Sequence, residues 1–107
     1  MIIGHKIKEK ISNEDFIAII SNCEIYSTNH TFMRLNEKQR KVFKHEKLID
    51  IIRQTNIILA GIQYNGLFTV IFDFSKSEAM RIIFEVHLHE LEIVTFYLIE
   101  KNKIPRV

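Results

Sequence analysis

A small set of residues in this chain has the types needed to move a proton beside a phosphate. His30 stands four positions before Arg34, Arg40 follows six positions later, and Tyr97 comes near the end of the chain. Metal-independent RNA cleavage needs a base for the 2′-hydroxyl, an acid for the leaving oxygen, and cations against the phosphorane charge. An imidazole supplies proton transfer near neutral pH, and guanidinium groups bind phosphate oxygens. We therefore predict His30, Arg34, Arg40 and Tyr97 as catalytic residues.

Further residues around this set are predicted to bind the substrate: Lys38, Lys41 and Thr95. Although the chain has a net charge of only +2, its basic residues cluster between His30 and Lys47. That stretch has six lysines and arginines against Glu37 and Glu46, a local charge of +4. A polyanion such as RNA is expected to bind there, although a solvated helical face is an equally good interpretation.

Each predicted site residue also has an ordinary structural explanation. His30 is placed to hydrogen bond at the start of a helix, and the two arginines are typical of exposed salt bridges. Thr95 and Tyr97 are common residue types in strands. The spacing permits the chemistry without requiring it.

A second group of residues has metal-ligand types. His87 and His89 share a strand face because they are two positions apart, and Glu85 lies on the same face. With Glu90 nearby, these side chains suggest a Zn²⁺ site. The sequence identifies no further ligand, and an exposed polar strand face explains the pattern as well. We therefore predict no metal and no cofactor.

The part of the chain that must position these residues is a run of four predicted strands between Ile57 and Ile99. They cover Ile57–Gln63, 67–74, 81–89 and 92–99, and the last two alternate apolar and polar residues. Short connections make the strands antiparallel, so the stretch reads as a four-stranded antiparallel β-meander. Asn65-Gly66 signals the first hairpin, for which a three-residue loop pairs Gln63 with Leu67 and keeps the phenylalanines inside.

The alternation assigns an inner face to be covered by helices and an opposite outer face. The inner set is Ile58, Ala60, Ile62, Phe68, Val70, Phe72, Ile82, Phe84, Val86, Leu88, Val94, Phe96 and Leu98. The outer set is polar at Gln63, Thr69, Asp73, Glu85, His87, Thr95 and Tyr97, and apolar at Leu59, Ile71, Ile83 and Ile93. A mixed outer face of this kind suits a partner, an N-terminal arm or a substrate.

Helices are predicted before the meander. Ser12, three residues before Asp15, signals a helix over about 14–21. Thr28 or Asn29 begins another, with His30, Arg34, Lys38 and Lys41 along one side, although Asn36 can break it. A third helix covers about 45–55. The fold class is therefore α+β, with N-terminal helices packed on one face of the meander, in a single domain over 1–107. Residues 1–11 form an arm or edge strand, 12–56 the helical part, and 100–107 a loose tail.

Composition restricts the class of protein. Hydrophobic residues make up 47% of the 107 residues, which suffices for a core. No apolar run approaches the roughly 18 residues of a membrane span, and the first residues do not resemble a signal peptide. With a single cysteine, Cys23, these features predict a cytoplasmic protein that does not contact a membrane.

The residues around His30-x-x-x-Arg34, the Asn65-Gly66 hairpin and the final strand reading Ile-Val-Thr-Phe-Tyr resemble a known group. The pattern is similar to the small ribonuclease superfamily that unites barnase, the EndoU nucleases, the tRNA-cutting colicin domains and RelE/ParE-type toxins. The resemblance covers roughly residues 27–99. It implies a toxin-like endoribonuclease whose functional positions are His30, Arg34, Arg40, Thr95 and Tyr97, often acting with a protein antitoxin.

A different class of function is also open. The mixed outer face and abundant isoleucine are typical of a non-catalytic interaction module, such as a small inhibitor or regulator from a mobile element. That interpretation predicts a homodimer or another protein partner instead of RNA cleavage.

Overall fold

The structure, a computed structural model, describes residues 6–106. It contains β1 (Ile7–Ile11), α1 (Asn13–Ser21), β2 (Glu24–Ser27), α2 (Asn29–Phe32), α3 (Glu37–Val42), α4 (His45–Gln54), β3 (Ile57–Gln63), β4 (Phe68–Asp73), β5 (Glu78–His87) and β6 (Glu90–Glu100). A short 3₁₀ turn, Lys101–Lys103, follows β6. None of the helices in this part of the chain is long and apolar enough to cross a membrane.

The α+β class is confirmed, but the sheet is larger than the predicted meander. It has six strands in the order β1-β3-β4-β5-β6-β2. The four predicted strands form its centre, and β1 adds to one edge, antiparallel to β3. At the other edge β2 runs parallel to β6, with Glu24–Ser27 beside residues 90–93. The prediction of a purely antiparallel four-stranded sheet is therefore wrong, because two short flanking segments complete it.

The first hairpin has the predicted three-residue loop. Gln63 N–H donates to Leu67 O at 2.8 Å, and Ile62 lies opposite Phe68. Gly66 has a φ of 87°, the left-handed conformation that glycine adopts without steric cost. Asn65 Oδ1 accepts from Leu67 N–H at 3.1 Å and closes the turn.

Two bulges alter the predicted faces. The β3–β4 register shifts between Ile57 and Leu59, which leaves Ile58 outside the regular pairing and exposed. The β5–β6 register shifts so that Phe84 faces Ile93 while Ile83 faces Thr95, and Val94 is the extra residue. Ile93 is consequently buried inside the core. The prediction placed Ile58 and Val94 on the inner face and Ile93 on the outer face. These placements are wrong, because a bulge adds one residue and so reverses the alternation of inward and outward side chains. Leu88, also predicted inside, is 84% exposed in the β5–β6 turn.

The inner face is covered chiefly by α1 and α4. Ser12 Oγ accepts from Asp15 N–H at 3.0 Å and begins α1, as predicted. α4 places Leu48, Ile51 and Ile52 on one buried stripe. The Phe16 ring of α1 meets Phe84 of the sheet with centroids 5.5 Å apart. Burial of this face supplies most of the hydrophobic stabilisation.

The outer face is not an open polar surface. Leu59, Ile71 and Ala79 are buried there, with Ile7, Ile99 and Ile104 packed against them. The buried Arg81 donates from Nε to Thr69 Oγ1 at 2.8 Å and from Nη2 to Gln63 Oε1 at 3.1 Å.

The N-terminal segment and the C-terminal tail both form hydrogen bonds with the rest of the chain. β1 confirms the edge-strand alternative for residues 1–11, of which the first five lie outside the described residues, as does residue 107 of the tail. The tail is not loose over its described part: Lys101 N–H donates to Ser77 O at 2.9 Å, and Lys101 Nζ lies 2.6 Å from Asp73 Oδ1.

Candidate functional site

The candidate site lies along β6, past the point where β2 stops pairing with it. β2 accompanies only residues 90–93 of β6. The chain then leaves the sheet at Thr28 and returns through α2 and α3. Thr31 fixes this return, because its Oγ1 accepts from Thr28 N–H at 3.0 Å and donates to Ile93 O at 2.6 Å. The segment from Thr28 to Phe43 is therefore anchored beside the second half of β6.

A cavity of about 330 Å³ lies between this segment and the sheet. Its lining includes Arg34, Gln39, Thr95 and Tyr97, together with the apolar residues Leu35, Phe43, Met80, Phe96 and Leu98. The volume is in the range of small-ligand sites, which are mostly apolar with a few polar groups. Three of the predicted site residues, separated by about sixty positions in sequence, thus line one cavity.

The hydroxyl of Tyr97 is buried and has no hydrogen-bond partner in the part of the chain that the structure describes. A buried hydroxyl without a partner is unfavourable, so its capacity to form a hydrogen bond is unused in this part of the structure.

His30 does not line this cavity. It is exposed on α2, a helix of four residues, and the predicted continuous helical side from His30 to Lys41 is wrong. The helix ends at Phe32 and a new one starts at Glu37, because Asn36 Oδ1 accepts from Gln39 N–H at 2.8 Å. Gln39 Oε1 accepts in return from Asn36 N–H at 3.0 Å, a reciprocal capping box. Asn36 and Gln39 have the capping-box spacing, so the sequence itself indicates that a new helix begins after Asn36.

Arg40 lies at a neighbouring cavity of about 280 Å³, lined by Phe32, Arg40, Phe43, Lys44 and His45. Its Nη2 donates to Met33 O at 3.4 Å. Phe43 lines both cavities, so the two are adjacent. Lys38 and Lys41 are exposed on α3 and line neither.

Sequence reasoning missed His45 as a candidate. Its Nδ1 lies 2.7 Å from Ser27 Oγ, and both side chains are half-buried. Ser27 ends β2 and His45 is the first residue of α4, so only the folded chain brings them together. A hydroxyl held against one ring nitrogen orients the imidazole and leaves Nε2 for proton exchange. No spacing motif in the sequence identifies this pair.

The group of possible metal ligands contains partly different residues from those predicted. His89 occupies the β5–β6 turn with a φ of 62°, and it is exposed. The side chains that gather are instead Glu85, His87 and Glu92. His87 Nε2 lies 3.4 Å from Glu92 Oε1 and 4.0 Å from Glu85 Oε2. Glu92 comes from the facing strand, where it is directly opposite Glu85.

Tyr26 of β2 borders this group. Its hydroxyl donates to Glu92 Oε1 at 3.1 Å. Partial burial raises the pKa of Tyr26 above its ordinary value, and the hydrogen bond to Glu92 and the negative charges of Glu92, Glu90 and Glu85 raise it further. The Tyr26 hydroxyl therefore remains a proton donor over the physiological range.

Comparison with models of known protein families, with curated proteins and with solved structures gave no match for this chain. The resemblance to the small ribonuclease superfamily accordingly remains a prediction from the sequence.

Proposed function

We propose that this chain binds RNA along the Thr28–Lys47 segment and cleaves it by metal-independent general acid/base chemistry. The observation that carries the proposal is the shared cavity of Arg34, Thr95 and Tyr97. It joins a cation, a hydroxyl and a buried phenol next to aromatic surface. These are the groups that a phosphate and an unstacked base require.

The charge distribution supports the same assignment. The segment's six lysines and arginines are exposed in the structure. Arg34 and Arg40 line adjacent cavities that share Phe43, so one RNA strand lying across both cavities would contact both guanidinium groups. Lys38 and Lys41 contribute to the attraction of a polyanion without lining either cavity.

Of the two histidines in this segment, we assign proton transfer to His45. It shares a cavity with Arg40, and its orientation is held by Ser27. The imidazole removes the proton of the 2′-hydroxyl as that oxygen attacks phosphorus. A second donor then protonates the leaving 5′-oxygen, for which we assign Tyr97. The exposed His30 is the rival candidate for the base.

The test is incubation of the purified protein with total RNA, in which shortened products are resolved on a denaturing gel. His45→Ala and His30→Ala separate the two assignments, and Lys76→Ala is the control because Lys76 is an exposed cation outside the segment. We expect wild type, His30→Ala and Lys76→Ala to cleave and His45→Ala to lose at least 100-fold in rate. Loss confined to His30→Ala transfers the base role to His30. Equal cleavage by every variant refutes the proposal.

Binding is measured separately, because a chain that binds RNA without cutting it is a non-catalytic form of the same module. Arg34→Ala is expected to weaken the affinity for single-stranded RNA. It should also reduce the slope of log K against log salt by about 0.7 for the phosphate contact that it removes. Lys76→Ala should leave both quantities unchanged. If the Arg34→Ala slope equals that of wild type, Arg34 contacts no phosphate.

A non-catalytic interaction module remains the second candidate, and one surface favours it. Val86 and Leu88 at the end of β5 are 39% and 84% exposed beside a groove that they line with Ala18, Ile19 and Cys23. This surface suits a second copy of the chain or a protein partner such as an antitoxin. Light scattering after size exclusion tests for a homodimer, and Leu88→Asp should dissociate it. A wild-type monomer at all concentrations, with no partner recovered, contradicts this candidate.

A further inference from the structure

The β5–β6 hairpin holds a compact group of possible metal-ligand atoms. This group lies outside the RNA cavities, the two proposed RNA-binding cavities that Arg34 and Arg40 line. Glu85 and His87 share the outer face of β5 because they are two positions apart. Glu92 lies opposite Glu85 on β6. One side-chain atom from each of these three residues lies within 4.8 Å of the other two. The group thus supplies one imidazole nitrogen and two carboxylate oxygens.

The spacing of these atoms suits a single small cation. Ligands bound at about 2.1 Å in a tetrahedron lie roughly 3.4 Å apart. His87 Nε2 and Glu92 Oε1 are separated by 3.4 Å, and His87 Nε2 and Glu85 Oε2 by 4.0 Å. The Glu85 side chain is 49% exposed, so it has room to rotate towards the other two ligand atoms.

Electrostatics gives an independent reason for a cation here. Glu85 and Glu92 are cross-strand neighbours, an arrangement in which like charges destabilise a sheet. Glu90 follows in the same hairpin, opposite His87. A divalent ion between the two carboxylates replaces this repulsion with attraction.

Tyr26 adds the outer support that metal ligands normally have. Its hydroxyl donates to Glu92 Oε1 at 3.1 Å, and its ring lies against the His87 ring, with centroids 6.4 Å apart and planes inclined by 31°. Partners of this kind orient a ligand before the ion arrives and raise the affinity of a site.

We propose that Glu85, His87 and Glu92 bind one divalent transition-metal ion of the zinc type, with Tyr26 as a positioning residue. The imidazole favours such an ion over Mg²⁺ or Ca²⁺, which prefer oxygen ligands alone. Three protein ligands leave a fourth position for water or an external group. This site is separate from the RNA cavities and does not depend on the proposed cleavage.

Isothermal titration of the purified chain with Zn²⁺ tests the proposal, with Mg²⁺ as the comparison ion. We expect one Zn²⁺ per chain in wild type and no measurable heat with Mg²⁺. His87→Ala and Glu92→Gln should each lower the Zn²⁺ affinity at least tenfold. His89→Ala is the matched control, because His89 is an exposed histidine of the same hairpin outside the group, and it should stay within twofold of wild type.

Two further measurements separate a direct ligand from a structural effect. Far-UV circular dichroism should be unchanged in every variant, since the substituted side chains are at least partly exposed. The imidazole resonances of His87, followed by NMR, should shift on addition of Zn²⁺ while those of His89 do not. Tyr26→Phe should weaken binding about tenfold and still allow the His87 shift. Absence of Zn²⁺ binding, or equal loss in His87→Ala and His89→Ala, would overturn the proposal.

Discussion

Single side chains in this protein connect elements that are distant in sequence. Thr31 links α2 to β6 through one hydroxyl, and Tyr26 links β2 to the β5–β6 hairpin through another. Thr31 acts just past the end of the β2–β6 pairing, whereas Tyr26 acts across a strand pair that the backbone already joins. Their loss should be measurable because a hydrogen bond left unmade in a buried place costs more than the bond itself contributes.

Thr31→Val removes the donor to Ile93 O and the acceptor of Thr28 N–H, and it nearly preserves the volume. We expect the free energy of unfolding to fall by about 1–3 kcal/mol, since a buried carbonyl loses its partner. Urea denaturation provides the measurement, and Thr31→Ser, which keeps the hydroxyl, is the control. Equal stability of Thr31→Val and wild type would show that water replaces the hydroxyl.

Tyr26→Phe tests the raised pKa of this phenol. A folded-state pKa above the unfolded value of about 10 stabilises the fold below that pH, and the contribution is lost as pH rises towards the folded pKa. Wild type should therefore lose stability more steeply than Tyr26→Phe as the pH rises above about 10. The measurement is the urea midpoint of each protein as a function of pH. If the two pH curves are parallel, the raised pKa of Tyr26 is contradicted.

The elements differ in how well sequence predicts them. α4 and the central strands follow from apolar periodicity, and the register of the first hairpin follows from its glycine and the need to bury phenylalanines. The bulges at Ile58 and Val94 escape prediction, since one extra residue reverses the alternation without any change in residue type. The parallel pairing of β2 with β6 also cannot be predicted, because four residues do not indicate which distant strand they join.

The same distinction applies to the candidate site. Arg34, Thr95 and Tyr97 could be grouped from residue chemistry, and the structure does bring them to one cavity. The helix break at Asn36 was open from the sequence and is confirmed, but the exposed position of His30 depends on how α2 packs against β6, which residue spacing does not reveal. His45 depends on contact with Ser27 across the folded chain, which no spacing rule reveals.

Gly61→Ala tests the close approach of β1 to β3. A Cβ at Gly61 would lie 2.6 Å from Ile7 Cγ2 and 2.8 Å from the Glu9 carbonyl oxygen, so β1 must move. We expect a loss of about 1–3 kcal/mol, with faster hydrogen exchange at β1 amides.

Gly66→Ala is the matched control for this experiment, since a Cβ there meets open space and only the φ of 87° is unfavourable. It should cost about 1 kcal/mol and leave β1 exchange unchanged relative to the rest of the sheet. Identical exchange at β1 in both variants would contradict the close approach.

At the scale of the whole molecule, one core joins the helices to the sheet, and charge is distributed unevenly around it. Arg34 and Phe43 of the basic segment lie beside the second half of β6, whereas Glu85, Glu90 and Glu92 surround its beginning. A polyanion and a divalent cation are thus each expected at a different part of the same strand.

Phe84→Ala tests the dependence of the fold on this core. Phe84 is fully buried between the sheet and the Phe16 ring, so its truncation leaves a cavity and should destabilise the fold by about 3–5 kcal/mol. Tyr64→Ala, at a side chain that is 70% exposed, should change stability by less than about 0.5 kcal/mol. Urea denaturation followed by circular dichroism compares the two, and similar losses would argue against this core.

The bulge at Val94 has a consequence for how the length of this chain can vary. Because Val94 is the extra residue, its removal would leave Ile93 directly before Thr95 and would restore regular pairing with Phe84 and Ile83. Glu92 would stay on the side of the sheet that carries His87, and Thr95 and Tyr97 would stay on the side opposite Phe96 and Leu98. A second one-residue deletion would find no extra residue to remove, so it would turn one part of the strand over and separate the acidic hairpin from the residues of the Arg34 cavity. Natural variants that retain both groups should therefore differ by at most one residue between Glu92 and Tyr97.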